Sequence, residues 1–215
     1  MNWKIETKKR TQNILNLGKG QFVGEGIYDI PKIKGVKALP KIEKWIGFNE
    51  AKTEKHPEDK AIHFFIDDYQ FERVWNRPEA YIELFKRFVC IATPDFSPYG
   101  DMPLATQIYN MYRRNWVGAY FENEGIKVVP TIRASTDKRS LRFYLDGIPE
   151  DSHVIMSNMW TKSQSEKEYF YEEFDTLQER KHPRKVFIYG KPMELWGNVE
   201  YLKKFTERRF DGKSK

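Results

Sequence analysis

The feature that most limits the fold of this chain is a series of short, continuous apolar runs separated by longer helical segments. The runs cover residues 61–66, 88–93, 126–132, 141–145, 154–156 and 185–189. They are rich in Val, Ile and Phe, as strands buried on both faces of a sheet are. Helices are predicted between them at residues 77–87, 101–125 and 166–181. This alternation predicts an α/β fold with a mainly parallel sheet of about six strands and flanking helices, arranged as a partial barrel or an open twisted sheet.

The segments on either side of this alternating region lack its periodicity. Residues 1–60 are rich in Gly, Pro and Lys, and we predict an irregular N-terminal extension that packs on the core through an apolar anchor around Trp45. The α/β core domain is expected at residues 61–192, and a basic C-terminal helix or tail at residues 193–215. A chain of 215 residues is long enough to bury such a core without covalent crosslinks.

Composition excludes several classes of protein. Cys90 is the only cysteine, so an internal disulfide and a zinc site built from cysteines are both excluded. No apolar run approaches the roughly 20 residues of a membrane span, so no membrane partner is expected. The N-terminal sequence MNWKIETKKR has no apolar segment after its charges, which predicts no cleaved secretory signal and a cytoplasmic location.

The positive charge of the chain is concentrated at its two ends. The formal net charge is +6, but residues 1–20 and residues 203–215 each carry +4, while the residues between them carry −2. Basic tails can hold a phosphate backbone by releasing its counterions. The charge pattern therefore allows nucleic-acid binding by the tails, and solubility is the alternative reading of the same charges.

Several stretches of the alternating region resemble one known family. The most specific are IDDYQFERVW, TPDFS and YGKP, and the similarity extends over roughly residues 27–192. The chain resembles a family of phage, prophage and plasmid proteins known as domain of unknown function 4417. One departure is RASTDKR after IKVVPTI, where the family pattern has a tryptophan-containing stretch. The resemblance implies a mobile-element origin and a single α/β domain, and it implies no particular reaction.

Four aspartates follow the predicted strands, at the ends where ligands bind in parallel α/β sheets and barrels. Asp67 and Asp68 follow the first run, and Asp95 follows the second. Asp146 follows the fourth. Carboxylates suit a hard cation such as Mg²⁺, which stabilises charge on a phosphoryl group and activates water. We therefore predict that all four are catalytic, and that Asp67, Asp68 and Asp95 form a Mg²⁺ site.

Structural roles compete with this hypothesis. An aspartate after a strand often caps the next helix, as Asp101 is expected to do for the long central helix. Asp67 and Asp68 are adjacent in an extended segment, so only one of their side chains can enter a given pocket. Asp146 precedes Gly147, and this pair favours a turn.

Six further polar residues are candidates for contacts with a substrate. Asn115 interrupts the apolar stripe of the long helix, where a buried amide must either bind a backbone carbonyl at a strand end or reach the pocket. Arg113 and Arg114 flank the stripe, and we predict that they are exposed and contact phosphates. The other three are expected at strand ends: Arg133, Tyr189 and Lys191.

Two functions fit these features. The first is a metal-assisted enzyme acting on nucleotide or nucleic-acid phosphates, with its acidic site at the carboxyl ends of the strands. The second is a non-catalytic phage accessory factor that binds nucleic acid or a host protein through its basic tails and the face formed by Arg113 and Arg114. Convergence of the aspartates within about 6 Å of one another around an open pocket would favour the enzyme.

Overall fold

The computed structural model describes residues 8–202. Strands β1 to β9 are Gly24–Glu25, Ile30–Pro31, Lys44–Gly47, Lys60–His63, Cys90–Ala92, Val128–Val129, His153–Ser157, Lys185–Tyr189 and Val199–Leu202. Helices α1 to α5 are Lys9–Ile14, Glu72–Asn76, Ile82–Phe85, Leu104–Asn123 and Gln164–Lys181. Short 3-10 helices lie in the connections, at Phe48–Glu50, Pro57–Asp59, Asp68–Gln70, Pro78–Tyr81 and Lys138–Arg142. The predicted α/β fold class is confirmed.

The strands from β3 to β9 run parallel, and each lies beside the next along the chain. Strands β3 to β6 form a four-stranded sheet and β7 to β9 a three-stranded sheet. The two sheets meet where Thr131, just after β6, pairs with Ile155 of β7. Together they curve so far that the rings of Trp45 in β3 and Phe187 in β8 have centroids 5.2 Å apart. Sequential strand order with this curvature describes a partial barrel.

The interior of the curved sheet is filled by side chains. Trp45 pairs in register with Ala61, and Ala61 with Cys90, so these three share one face of the sheet. Cys90 is fully buried, as predicted for a small core residue, and burial raises the pKa of its thiol to about 12. His63 is also a core residue, and burial lowers its pKa to about 3. The barrel interior is therefore a packed core.

Two strands arise in segments predicted to be irregular or helical. Strand β3 comes from the predicted N-terminal extension and pairs with β4 along its whole length. Strand β9 lies in the predicted C-terminal tail and pairs with β8. Both are four residues long and stand at the two edges of the curved sheet. Strands of this length show little periodicity in the sequence. They adopt the extended conformation because they pair with a neighbouring strand of the sheet. The part of the predicted tail at residues 203–215 falls outside the described residues.

One predicted strand is wrong, and one predicted helix is shorter than expected and begins as a 3-10 helix. Residues 141–145 belong to a 3-10 helix and a turn, because the Asp137 side chain accepts a hydrogen bond from the Arg139 backbone N–H and starts the helix. Gly147 then takes a positive φ of 72°, as expected after the predicted Asp146 turn. Residues 77–87 form a 3-10 turn followed by the short helix α3. The predicted helix at residues 166–181 is confirmed as α5.

Helix α4 packs closely against the sheet. Its N-cap is Pro103 and not Asp101, which is exposed, so the predicted cap at Asp101 is wrong. Proline supplies a fixed φ at the start of the helix without any side-chain cap. A Cβ on Gly118 would lie 2.7 Å from Thr93 Cγ2, so only glycine allows this approach to the end of β5. After α4 the chain turns at Gly125, with φ of 80°.

No helix among residues 8–202 combines the length and the apolar character needed to cross a bilayer.

Candidate functional site

A cavity of ≈ 450 Å³ lies over the carboxyl ends of β5, β6 and β7. Residues 98–101 of the loop after β5 form one wall, and residues 133–136 after β6 form another. Trp160 and Lys162 from the connection between β7 and α5 complete it, together with Glu166 in the first turn of α5. This is the end of a parallel α/β sheet where ligands bind. We call this space the strand-end cavity.

Arg133 is the cationic residue that the structure fixes most firmly at this cavity. Its Nη1 lies 3.6 Å from Asp95 Oδ2. The guanidinium also stands over the Trp160 ring, 5.6 Å from the centroid. The side chain is 17% exposed, so part of it stays open to the cavity. A guanidinium held by a carboxylate and a ring is preorganised to bind an anion.

Asp95 is buried beside this guanidinium. Only 7% of the residue is exposed, and its Oδ1 has no hydrogen-bond partner. Burial raises the pKa of the carboxyl group, Arg133 opposes that rise, and Asp68 adds to it. The predicted position of Asp95 near the end of a central strand is therefore correct, and its carboxyl group keeps an unused acceptor atom.

Arg114 lies deep in the protein, and the prediction that it is exposed is wrong. It is 2% exposed and donates hydrogen bonds to Asn115 Oδ1 and to the carbonyls of Arg133 and Tyr144. Burial lowers the pKa of its guanidinium to about 10, while Asp95 and Glu173 oppose the shift. The fold keeps this cation inside because three acceptors satisfy it. Arg114 therefore supports the site from within and cannot contact a ligand at the surface.

Asn115 binds backbone carbonyls, which is the first of its two predicted roles. Its Nδ2 donates to the carbonyl of Pro31 at 3.1 Å and to the carbonyl of Asp146 at 3.0 Å. Its Oδ1 accepts the Arg114 Nε–H at 3.1 Å. The amide thus ties α4 to β2 and to the turn before β7, and it does not line the strand-end cavity.

Glu173 of α5 is a buried acid at the same site. It is 1% exposed, and its Oε1 accepts the backbone N–H of Ala134, next to Arg133. Burial raises the pKa of its carboxyl group to about 8. At neutral pH Glu173 is therefore mostly protonated, so Asp95 is the acid of this cluster that balances the guanidinium groups of Arg114 and Arg133.

A second polar network holds Asp68 and Arg113. Both oxygens of Asp68 accept from Ser97, from the backbone N–H at 2.9 Å and from Oγ at 3.0 Å. Arg113 donates to Glu72 at 2.6 Å and lies 4.0 Å from the Phe96 ring centroid. The Arg113 side chain is only 12% exposed, so the predicted exposed arginine face is wrong. Apolar rings and a carboxylate shield this guanidinium from a phosphate backbone.

The other predicted site residues lie apart from this cluster. Asp67 is exposed, and its side chain makes no cap for the 3-10 helix that follows it. Asp146 lies beside Glu25. Burial is the largest cause that raises the pKa of the Asp146 carboxyl group, and the negative charge of Glu25 raises it further. Tyr189 packs on His63 with ring centroids 4.7 Å apart. Lys191 lines a separate cavity that adjoins the first.

The structure does not group the aspartates as a metal site would require. Among residues 8–202, no group of three or more His, Cys, Asp and Glu side chains is arranged to hold a metal ion. Both Asp68 oxygens are occupied by Ser97, and the Asp95 carboxylate is paired with Arg133. The Mg²⁺ site stays a prediction, and the ion pair of Arg133 with Asp95 is the better-formed feature of this sheet edge.

Sequence reasoning missed Glu173, Trp160 and Lys162. Glu173 had a usable signal, because it sits among Phe170, Phe174 and Leu177, all fully buried on α5. A charged residue within such a stripe marks a buried interaction. Trp160 and Lys162 lie in the connection between β7 and α5, which has no periodic pattern to read.

Comparisons with known proteins identify relatives among bacteriophages. A model of the family described as Domain of unknown function (DUF4417) matches residues 22–206. The Gene 1 protein of Mycobacterium phage D29 is 34% identical over 182 residues, which cover 83% of this chain and 66% of that protein. The Gene 1 protein of Mycobacterium phage L5 is 34% identical over 179 residues, covering 83% of this chain and 77% of that protein. No solved structure matches this chain.

Proposed function

This chain belongs to the DUF4417 family, and from that phage context and the strand-end cavity we propose that it binds and acts on the phosphate of a nucleotide or nucleic acid. The observation that carries the proposal is Arg133. Its guanidinium faces the cavity while Asp95 and Trp160 hold it, and Glu173 adds little negative charge at neutral pH. An arginine fixed in this way suits the planar, bidentate recognition of phosphate oxygens.

The walls of the cavity suit a nucleotide. Trp160 and Tyr99 supply aromatic surface, and Tyr99 is 54% exposed, which leaves its ring free to stack on a base. Thr136 supplies a hydroxyl group for polar contacts, while the backbone N–H and carbonyl of Ser135 are bonded to Ser140. A volume of ≈ 450 Å³ falls in the range of small-molecule sites.

The accessory-factor hypothesis proposed binding through the basic tails and through the face formed by Arg113 and Arg114. That face is not available to a partner, because both arginines are shielded from solvent. What remains are the basic tails. The net charge of the N-terminal tail lies on Lys8, Lys9, Arg10 and Lys19, and that of the C-terminal tail lies in residues 203–215, outside the described residues. The strand-end cavity is therefore the better-supported place for a phosphate.

Replacing Arg133 by glutamine tests the binding site. We expect Arg133→Gln to weaken the binding of a nucleoside monophosphate by about 10- to 100-fold, because a charge-assisted pair is lost. Isothermal titration calorimetry measures the dissociation constants, and Arg142→Gln is the control because Arg142 is an exposed arginine outside the cavity. Equal affinities in the Arg133 variant and the wild-type protein would refute the site.

Replacing Asp95 by asparagine tests the enzymatic part of the proposal. The buried carboxyl group has a raised pKa and an unused oxygen beside Arg133, so it can exchange a proton near a bound phosphate. We expect Asp95→Asn to lower phosphate turnover at least about 100-fold in a screen of nucleotides, DNA and RNA with and without Mg²⁺. The melting temperature should stay within a few degrees of the wild-type value.

Asp101→Asn is the matched control, because Asp101 is an exposed carboxylate that lines the same cavity. It should keep turnover. A large drop in melting temperature together with intact turnover in Asp95→Asn would assign Asp95 to the fold alone. No turnover by the wild-type protein in any arm of the screen would leave only the binding function.

A further inference from the structure

A second cavity adjoins the strand-end cavity. Its volume is ≈ 550 Å³, and it lies over the carboxyl ends of β7 and β8. Lys162 lines both cavities, so the two spaces meet at this side chain. The YGKP stretch singled out in the sequence supplies Lys191 and Pro192 to its wall. We call this space the lysine cavity.

The lysine cavity has three lysines and no carboxylate in its walls. The lysines are Lys162, Lys167 and Lys191. Within the part of the chain that the structure describes, none of these three ammonium groups has a carboxylate oxygen within 4.0 Å. Lys138 and Lys185, by contrast, each pair with a glutamate. Three unpaired cations around one space favour a phosphate-bearing ligand.

The wall of the lysine cavity is rigid at Lys191. Asn158 is 3% exposed, and its Nδ2 donates to the Lys191 carbonyl at 2.6 Å. Its Oδ1 accepts the Lys191 backbone N–H at 2.9 Å. A Cβ on Gly190 would collide with this amide, so the glycine before the lysine is required by the clamp. The loop is thus preorganised, which lowers the entropic cost of binding a ligand.

We propose that the lysine cavity is a second phosphate subsite, and that the ligand of this protein carries at least two phosphate groups. The inference rests on the proposed function, in which Arg133 holds the first phosphate. Lys162 stands between the two subsites, where it can contact a ligand that spans both. The shared chemistry is that of linked phosphates, which both a nucleoside polyphosphate and a single-stranded nucleic acid provide.

Binding measurements with three probes test this inference on the full chain. The probes are adenosine monophosphate, adenosine triphosphate and a single-stranded DNA tetranucleotide. We expect a probe with several phosphates to bind the wild-type protein at least about tenfold more tightly than the monophosphate. The double variant Lys167→Gln/Lys191→Gln should lose this gain and keep the affinity for the monophosphate.

The control is the double variant Lys55→Gln/Lys127→Gln, which removes the same charge. Lys55 and Lys127 are exposed and precede β4 and β6, at the opposite end of the sheet. This control should keep the full gain from the added phosphates. All four replaced lysines are exposed, so thermal melting should show that both double variants remain folded.

The outcomes separate the two proposals. Monophosphate binding that depends on Arg133 but shows no gain from further phosphates would overturn the second subsite and leave the proposed function intact. Tight binding that depends on Lys167 and Lys191 but not on Arg133 would support the lysine cavity and refute the proposed first site. A gain confined to the triphosphate, or confined to the tetranucleotide, would support the subsite and identify which source of linked phosphates it takes.

Discussion

Replacement of Arg114 by methionine is expected to lower the free energy of unfolding by about 3–5 kcal/mol. The guanidinium is 2% exposed and donates to Asn115 Oδ1 and to two backbone carbonyls. Methionine fills much of the same volume but leaves all three acceptors without their donor. It also removes a positive charge near the buried carboxyl groups of Asp95 and Glu173. The expected loss of stability is therefore the cost of removing one donor from a buried hydrogen-bond network.

Urea denaturation of the wild-type protein and of Arg114→Met measures this effect. Arg142→Met is the control, and it should change the free energy of unfolding by less than about 0.5 kcal/mol because Arg142 is exposed. Arg114→Lys should lie between the two, since lysine keeps the charge but not the forked geometry. If Arg114→Met had the same free energy of unfolding as the wild-type protein, the stabilising role of the Arg114 hydrogen-bond network would be contradicted.

The second large effect is an increase in stability. Glu173 has a pKa of about 8 in the folded protein and an ordinary value of 4.5 when exposed. Below pH 4.5 both states hold the proton, so the group contributes nothing. As pH rises from 4.5 to 8 the unfolded chain releases the proton and the folded chain retains it, so folding loses stability over this window. Above pH 8 both states are ionised and the loss stays constant.

Glu173→Gln should remove this loss. Glutamine is neutral at every pH, and its side-chain oxygen can still accept the Ala134 N–H. We expect the variant to exceed the wild-type protein by on the order of 3–5 kcal/mol at pH 9, and to match it near pH 4. Denaturation at pH 4, 7 and 9 tests the trend. Glu172→Gln, at the exposed neighbouring position, is the control. A variant that is less stable than the wild-type protein at pH 9 would show that the ionised carboxylate is stabilising.

The sequence predicted those parts of the fold that local pattern determines. The apolar runs around β4, β5, β6 and β8 are each at least five residues long and can be recognised. Strand β3 could not be recognised, because KWIG becomes a strand through its pairing with β4. The run LRFYL satisfied the same pattern but folds as a 3-10 helix and turn, because hydrogen bonding by Asp137 starts the helix there. Apolar composition shows that a segment is buried and leaves its backbone conformation open.

The candidate site shows the same limit. Asp95 could be placed near a strand end because Pro94 and the preceding apolar run define where the chain leaves the sheet. Arg114 could not be placed inside, because its partners are two backbone carbonyls distant in the sequence and one amide. An arginine beside an apolar stripe is usually exposed, and only the three-dimensional arrangement reveals the acceptors that satisfy it.

The order of the strands also bears on how this protein folds as it is made. Each strand from β3 to β9 lies beside its successor in the chain, so every addition to the sheet closes a loop no longer than one crossover connection. The entropic cost of each such closure is small, and the sheet can extend strand by strand as the chain leaves the ribosome. The contact of Trp45 with Phe187 is different, because it joins the first strand of this series to a late one. Completion of the interior must therefore wait until β8 has been synthesised, and until then the indole of Trp45 lacks this partner.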